Sequence, residues 1–209
     1  MTELRTERLL LRHWREADLD PWAALNADPE VRAHLGGPIA REQCAASIAR
    51  YEADLTSRGW GWWAVEVMAS GQLVGFAGLD PVDDGLPFGG VEVGWRLARS
   101  AWGHGYATES ARAVLAYGFD ALELPEIVAE TMAENLRSQA VMRRLGMTHE
   151  PSYDFAGTAA STSSSDSPGR RPRRRGQDKL IRSSTSVAYP TRSPSRNGTR
   201  SSRPASRTQ

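Results

Sequence analysis

Cysteine is all but absent from this chain. The single Cys44 excludes an internal disulfide, and on a helical segment it reads as a buried structural thiol. No apolar run is long enough to span a bilayer, no basic-then-apolar leader opens the sequence, and no internal repeat occurs. A soluble, cytoplasmic protein with no membrane contact is therefore expected. Residues 156–209 lack core-forming side chains: Leu180, Ile181, Val187 and Tyr189 stand among 13 serines and runs such as "RRPRRRG". Side chains so sparse cannot offset the entropy of ordering the chain, so this segment reads as a disordered Ser/Arg/Pro-rich tail.

The charge divides at the same place. Residues 156–209 hold 12 basic and 2 acidic residues, leaving 14 against 23 in residues 1–155, although the whole chain is close to neutral at +1. All seven tryptophans precede Gly103, which places the folded domain in residues 1–155.

Within that domain, Arg8–Trp14 reads as a short strand, and Arg15–Leu35 carries Leu19, Trp22, Ala23 and Leu25 at helical spacing. Ile48, Tyr51 and Leu55 give a second helix from Ala40 to Arg58. Gly61–Met68 and Gln72–Val82 are strand-like, with a turn at "ASGQ" between them, and Asp83–Gly90 is a loop. Val91–Ala98 is a fourth strand, in which Gly94 signals a bulge or a close backbone approach. A helix follows from Ala107, then a fifth strand at Pro125–Met132, then a helix over Asn135–Gly146 that Gly146 ends. Hairpin-linked strands followed by a strand–helix–strand crossover give an α+β fold with a mixed sheet.

The chemistry concentrates in "AWGHGYATES", Ala101–Ser110. Glycines directly before a helix let the backbone approach a ligand, and first-turn amides have no intrahelical partner, so the stretch suits an anion. A P-loop is excluded because no lysine is present, and a dinucleotide loop because the preceding strands form an antiparallel run.

The run "VEVGWRLARSAWGHGYATESARAVLAYGFDALEL" resembles the acyl-CoA-binding core of the GNAT N-acetyltransferases, most of all the branch of the ribosomal-protein N-terminal acetylases (RimJ/RimL-like). The family signature Q/R-x-x-G-x-G/A falls on Trp102, Gly105 and Ala107, with Trp in place of Gln or Arg. "TERLLLR" and "AENLRSQAVMRRLGM" fit the same branch, so the resemblance covers residues 3–150. It implies a mostly antiparallel mixed sheet flanked by helices, whose fourth and fifth strands splay apart. It implies acetyl-CoA as co-substrate and no metal. The amides of Gly103, Gly105, Tyr106, Ala107 and Thr108 would receive the pyrophosphate, and the backbone near Trp95, Arg96 and Leu97 would meet pantetheine. Asn135 would bond the pantetheine arm, and Ser138 would protonate the departing thiolate, with an ordinary helix serine as the alternative.

The implied reaction is direct transfer of acetyl to a primary amine, of a protein N-terminus or a small molecule. Glu92 is the leading base candidate, against an outward-facing strand carboxylate. Glu109 is explained by the helix N-terminus, and His104 by solvent or the nucleotide. Trp60 and Trp62 alternate with Trp63, so at least one of the three is core. The acidic domain favours a cationic acceptor, and a homodimer is allowed. The domain departs from the family after "THEPSYDF", where two closing strands are expected but the tail composition begins. A shifted reading frame would produce that change; the alternative is a genuine basic arm for nucleic acid. A remnant that binds acyl-CoA without catalysis, or a nucleic-acid-binding protein, are the alternative functions.

Overall fold

The computed structural model describes residues 2–82, 89–149, 153–155 and 178–186. Its strands are β1 (Leu4–Arg5), β2 (Leu9–Arg12), β3 (Trp62–Val67), β4 (Gln72–Pro81), β5 (Val91–Leu97), β6 (Glu126–Met132), β7 (Thr148–His149), β8 (Tyr153–Phe155) and β9 (Asp178–Ser186). Its helices are α1 (Leu19–Ala27), α2 (Arg41–Arg58), α3 (Tyr106–Asp120) and α4 (Leu136–Arg144). The fourth and fifth strands of the sequence are thus β5 and β6, because the short β1 precedes them.

Local chemistry sets most boundaries. Helix α1 stops at Ala27, eight residues short of the periodic pattern, because Asp28 before Pro29 is held extended (φ −74°, ψ 117°). Residues 29–36 form turns instead. Gly59 (φ 77°) closes α2, and Gly146 (φ 76°) follows the cap of α4 as expected.

The strands form one sheet in the order β1-β2-β3-β4-β5-β6-β9-β7, with β8 beside β9. Every pairing is antiparallel except β5–β6, which is parallel and joins at one register pair, Glu92 with Val128. Beyond that pair the two strands separate toward their C-terminal ends, the splay the resemblance implies.

The expectation that no strands close the sheet is corrected by β9. It runs against the whole of β6, from Glu126 opposite Ser186 to Met132 opposite Leu180. Strand β9 lies in the polar segment assigned to the tail. Its pairing uses backbone groups, which every non-proline residue carries, so side-chain composition is a poor guide to it. The rest of 156–209, including the arginine-rich runs and the reading-frame question they raise, lies outside the described residues.

Two packed layers cover the sheet. On one face α1 and α2 bury a cluster in which Trp22 and Tyr51 lie 5.6 and 5.7 Å from Phe76, itself 4.8 Å from Trp62. On the other, Trp63 meets Tyr117 of α3 edge-on at 5.5 Å. At Gly118 the helix lies so close that a Cβ would come within 2.6 Å of Ile127 Cδ1. Gly94 sits in unbroken register with β4, so it is not a bulge; a Cβ there would meet the Trp62 ring at 2.8 Å.

A buried charge cluster fixes the start of the chain to β3. The Arg12 guanidinium, 3% exposed, donates to both Asp18 carboxylate oxygens (2.7 and 2.9 Å) and to Glu66 (2.6 Å). Removing the cation leaves the buried Asp18 without it, which costs about 3–5 kcal/mol. Arg12→Ala is therefore expected to lower the unfolding free energy by about that amount in urea titration. A loss below about 1 kcal/mol would contradict this account of the cluster.

Candidate active site

The parting of β5 and β6 opens a cleft of about 1210 Å³. At its mouth lies the glycine loop. Gly103 and Gly105 have φ of 81° and 80°, left-handed values that glycine adopts without a Cβ penalty. Gly105 caps α3, whose first intrahelical bond runs from Glu109 N to Gly105 O. The backbone N–H groups of Gly103, Gly105, Tyr106, Ala107 and Thr108 have no partner among the described residues. They form a row of donors at the positive end of a 15-residue helix.

The wall of the cleft is β5. The N–H of Ala98 donates to Val74 O on β4, and the Arg96 carbonyl lies against Gly75 of the same strand. Alternation then turns the backbone groups of Trp95 and Leu97 toward the gap and those of Arg96 toward β4. Arg96 thus reaches the cleft with its side chain, which donates to Asn26 Oδ1 (2.9 Å) over the rings of Trp22 and Phe76. The backbone of Arg96 is thus taken up by β4. Trp102, in the usual Gln/Arg position, donates from Nε1 to Leu97 O (2.9 Å) and lies under the Arg137 guanidinium at 4.2 Å. It ties the loop to the end of β5 and to α4.

The opposite lip is the start of α4. Asn135 caps it, accepting from Ser138 N through Oδ1 (3.1 Å), which leaves its amide N–H₂ to donate elsewhere. The Ser138 hydroxyl has no partner among the described residues, and both side chains line the cleft. Glu92 lines it too, half-buried on the α1/α2 face of β5. All eleven residues given a catalytic or coenzyme A role from the sequence therefore border one cavity.

The far end is closed by the turns after α1. Arg32, 2% exposed, donates to Gly37 O and Leu35 O (both 2.8 Å) and shapes the arch from inside. Arg99 pins it from outside through Asp28 (3.2 Å) and Glu30 (2.8 Å). Of the three clustered tryptophans only Trp62 borders the cleft, its Nε1 donating to Asp80 (3.0 Å). Trp63 is core, and Trp60 lies under Arg58. His104 is exposed and stacks on Tyr106 at 5.4 Å, outside the main cleft. No group of three or more His, Cys, Asp or Glu among the described residues could hold a metal ion.

The sequence did not reveal the partner of Glu109. Its carboxylate accepts from Thr6 Oγ1 (2.6 Å), Arg8 N–H (2.9 Å) and Arg8 Nε (2.7 Å), tying the N-terminal strands to the loop helix. Arg8 also covers Tyr106 at 4.9 Å. Burial pushes the Glu109 carboxyl up, but the bonds from Thr6 and Arg8 outweigh it and hold the group below the usual glutamate value. The only sequence signal was that "TERLLLR" and "YATE" both carry charge; their separation of about a hundred residues hid the pairing.

The sequence matches the family described as acetyltransferase (GNAT) domain over residues 8–148. It is 32% identical over 146 residues to the FsC-acetyl coenzyme A-N(2)-transacetylase of Aspergillus fumigatus, covering 62% of this chain. That match spans 57% of the relative's own length. An uncharacterized N-acetyltransferase, p20 of Bacillus licheniformis, is 30% identical over 152 residues, 72% of this chain and 84% of p20. Among solved structures, RimL, a ribosomal L7/L12 alpha-N-protein acetyltransferase in complex with coenzyme A, has a TM-score of 0.68 and 14% identity. The match covers 89% of this chain and 98% of that one, a likeness of fold.

A carboxylate with a lowered pKa stabilises the fold fully above the ordinary glutamate range and loses that contribution as the pH falls through its own value. Glu109→Gln is therefore expected to be less stable than the wild type at neutral pH, with the gap narrowing below about pH 4. Thermal unfolding across pH checks this. A gap that holds or widens on acidification would contradict it.

Proposed function

The chain belongs to the GNAT acetyltransferases, enzymes that use acetyl-CoA, and from that premise we propose direct transfer of acetyl to the primary amine of a protein N-terminus or a small molecule. The reading rests above all on one observation: the amides of Gly103, Gly105, Tyr106, Ala107 and Thr108, without partners among the described residues, open onto a gap between two parted parallel strands.

In this reading the amides of Gly103, Gly105, Tyr106, Ala107 and Thr108 hold the pyrophosphate. Pantetheine enters the gap, where Trp95 and Leu97 supply backbone groups and Asn135 donates its amide. The neutral amine nitrogen attacks the thioester carbonyl carbon. Negative charge then builds on the carbonyl oxygen, where a β5 N–H donates. The C–S bond breaks, the amine proton passes to Glu92 directly or through water, and Ser138 donates a proton to the departing thiolate. No covalent enzyme intermediate is needed, in keeping with Cys44 being buried.

The alternative of a non-catalytic remnant depends on an open edge at β6, and β9 covers that edge along its length. The nucleic-acid alternative depends on the tail arginines, of which all but Arg182 lie outside the described residues; Arg182 pairs with Glu126 (3.4 Å). Among the described residues no helix is long and apolar enough to cross a membrane. A ribosomal-protein N-terminus suits the RimJ/RimL-like motifs, and a small amine is the other class of acceptor.

Thiol release from acetyl-CoA against amines and N-terminal peptides tests the reading. Turnover is expected, and Glu92→Gln should lower kcat by about 10²- to 10⁴-fold while acetyl-CoA affinity in calorimetry is retained. Absence of acetyl-CoA binding would sink the proposal; an unchanged kcat would remove Glu92 as the base.

A further inference from the structure

The turn between β1 and β2 rests on the glycine loop, and Arg8 is the residue that reaches it. Its Nε and one terminal nitrogen, Nη2, hold Glu109 Oε2 at 2.7 and 2.6 Å, and its backbone N–H donates to Glu109 Oε1 (2.9 Å). Its guanidinium lies over the Tyr106 ring at 4.9 Å. A Cβ on Gly105 would stand 3.5 Å from Arg8 Nη2, and apart from the adjoining residues no other group comes within 4 Å of that point. Gly105, Tyr106 and Glu109 thus fix one cation at the start of α3.

The ion pair does not use up this side chain. Nη1 has no partner among the described residues, the side chain is 45% exposed, and it borders the cleft. Its free edge is open to a ligand rather than sealed in the fold. The other arginines on this side of the cleft are Arg112, Arg137 and Arg144. Arg137 lies over Trp102 and Arg112 donates to Arg144 O (3.5 Å), and none of the three comes within 4 Å of the Gly105 position.

The electrostatics of the loop also ask for a cation. Glu109 puts a carboxylate in the first turn of the helix whose amides are offered to an anion. The domain around it is acidic, with 14 basic residues against 23 acidic ones in residues 1–155. Both oppose a diphosphate. Arg8 offsets the first directly and supplies positive charge where the second is felt.

We propose that Arg8 is part of the coenzyme A site: held in place by Glu109, it donates from Nη1 to the diphosphate that the loop amides receive. The inference rests on the acetyltransferase reading above and adds to that site a binding residue from the N-terminal turn. The planar guanidinium suits both tasks, with one edge on a carboxylate and another toward phosphate oxygens. Thr6 Oγ1 donates to the same carboxylate (2.6 Å) and completes the hold on Glu109.

Calorimetry on the full chain compares coenzyme A with dephospho-coenzyme A, which share the diphosphate and differ in the 3′-phosphate. Amide NMR at Trp95 and Leu97 follows D-pantetheine, which has no phosphate. Arg8→Gln is expected to weaken coenzyme A and dephospho-coenzyme A alike by about 10-fold, the lower end for a hydrogen-bonded charge because Arg8 is partly exposed. The affinity gap between coenzyme A and pantetheine should narrow by the same factor, and Arg8→Lys should recover part of it. Made in a Glu109→Gln chain, Arg8→Gln should still weaken coenzyme A, whereas a cation that only counters Glu109 would cost nothing there. Four results would each overturn the inference: unchanged affinity in Arg8→Gln, equal weakening of pantetheine and coenzyme A, no cost in the Glu109→Gln chain, or a loss confined to the ligand with the 3′-phosphate. A wild-type chain that binds neither coenzyme A nor dephospho-coenzyme A would instead overturn the reading beneath it.

Discussion

Two parallel strands that meet once and then part are the constraint on which this molecule turns. A parallel pair normally satisfies the backbone of both strands along their length. Here β5 and β6 share one register pair at Glu92 and Val128, and the facing groups of Trp95 and Leu97 are left toward a gap. The sheet tolerates this because each strand is secured on its far side, β5 along β4 and β6 along β9. The gap is thus built into the fold, and apart from Leu97 O, which accepts from Trp102 Nε1, the Trp95 and Leu97 backbone groups that face it have no strand partner among the described residues.

The two layers divide the labour across that gap. Helix α3 begins at the mouth with its amides aimed outward, and it is held there from two directions. Glu109 ties it to Thr6 and Arg8 near the N-terminus, and Trp102 ties the loop to Leu97. On the opposite face, α2 and the turns after α1 enclose an apolar floor with charged groups at its edge. Gly94 couples the halves: its missing side chain makes room for the Trp62 ring, which carries that floor up to β5. Donor and acceptor would then approach the β5 backbone from different directions, as direct transfer requires.

Features carried by short-range chemistry were legible in the sequence. The glycine–helix junction at 103–108, the α2 periodicity and the Gly146 stop each depend on a few adjacent residues. Features carried by distance were not. Arg12 with Glu66 and Arg8 with Glu109 join segments 54 and 101 residues apart, which no local pattern encodes. Pro29 cut the first helix short despite apolar spacing beyond it, because the steric demand on Asp28 outweighs periodicity. Strand β9 was missed for the opposite reason: its sequence, "DKLIRSSTS", carries little of the usual apolar alternation, and its register comes from the edge that β6 presents.

The central claim is that the parted strands and the glycine loop together hold acetyl-CoA. Backbone amide NMR during titration with coenzyme A addresses it residue by residue. The account predicts the largest shifts at Gly103, Gly105, Tyr106, Ala107 and Thr108, accompanied by Trp95 and Leu97, with the β2–β3 ladder unmoved. Shifts that leave the loop untouched, or that spread over the sheet without involving Trp95 and Leu97, would contradict it.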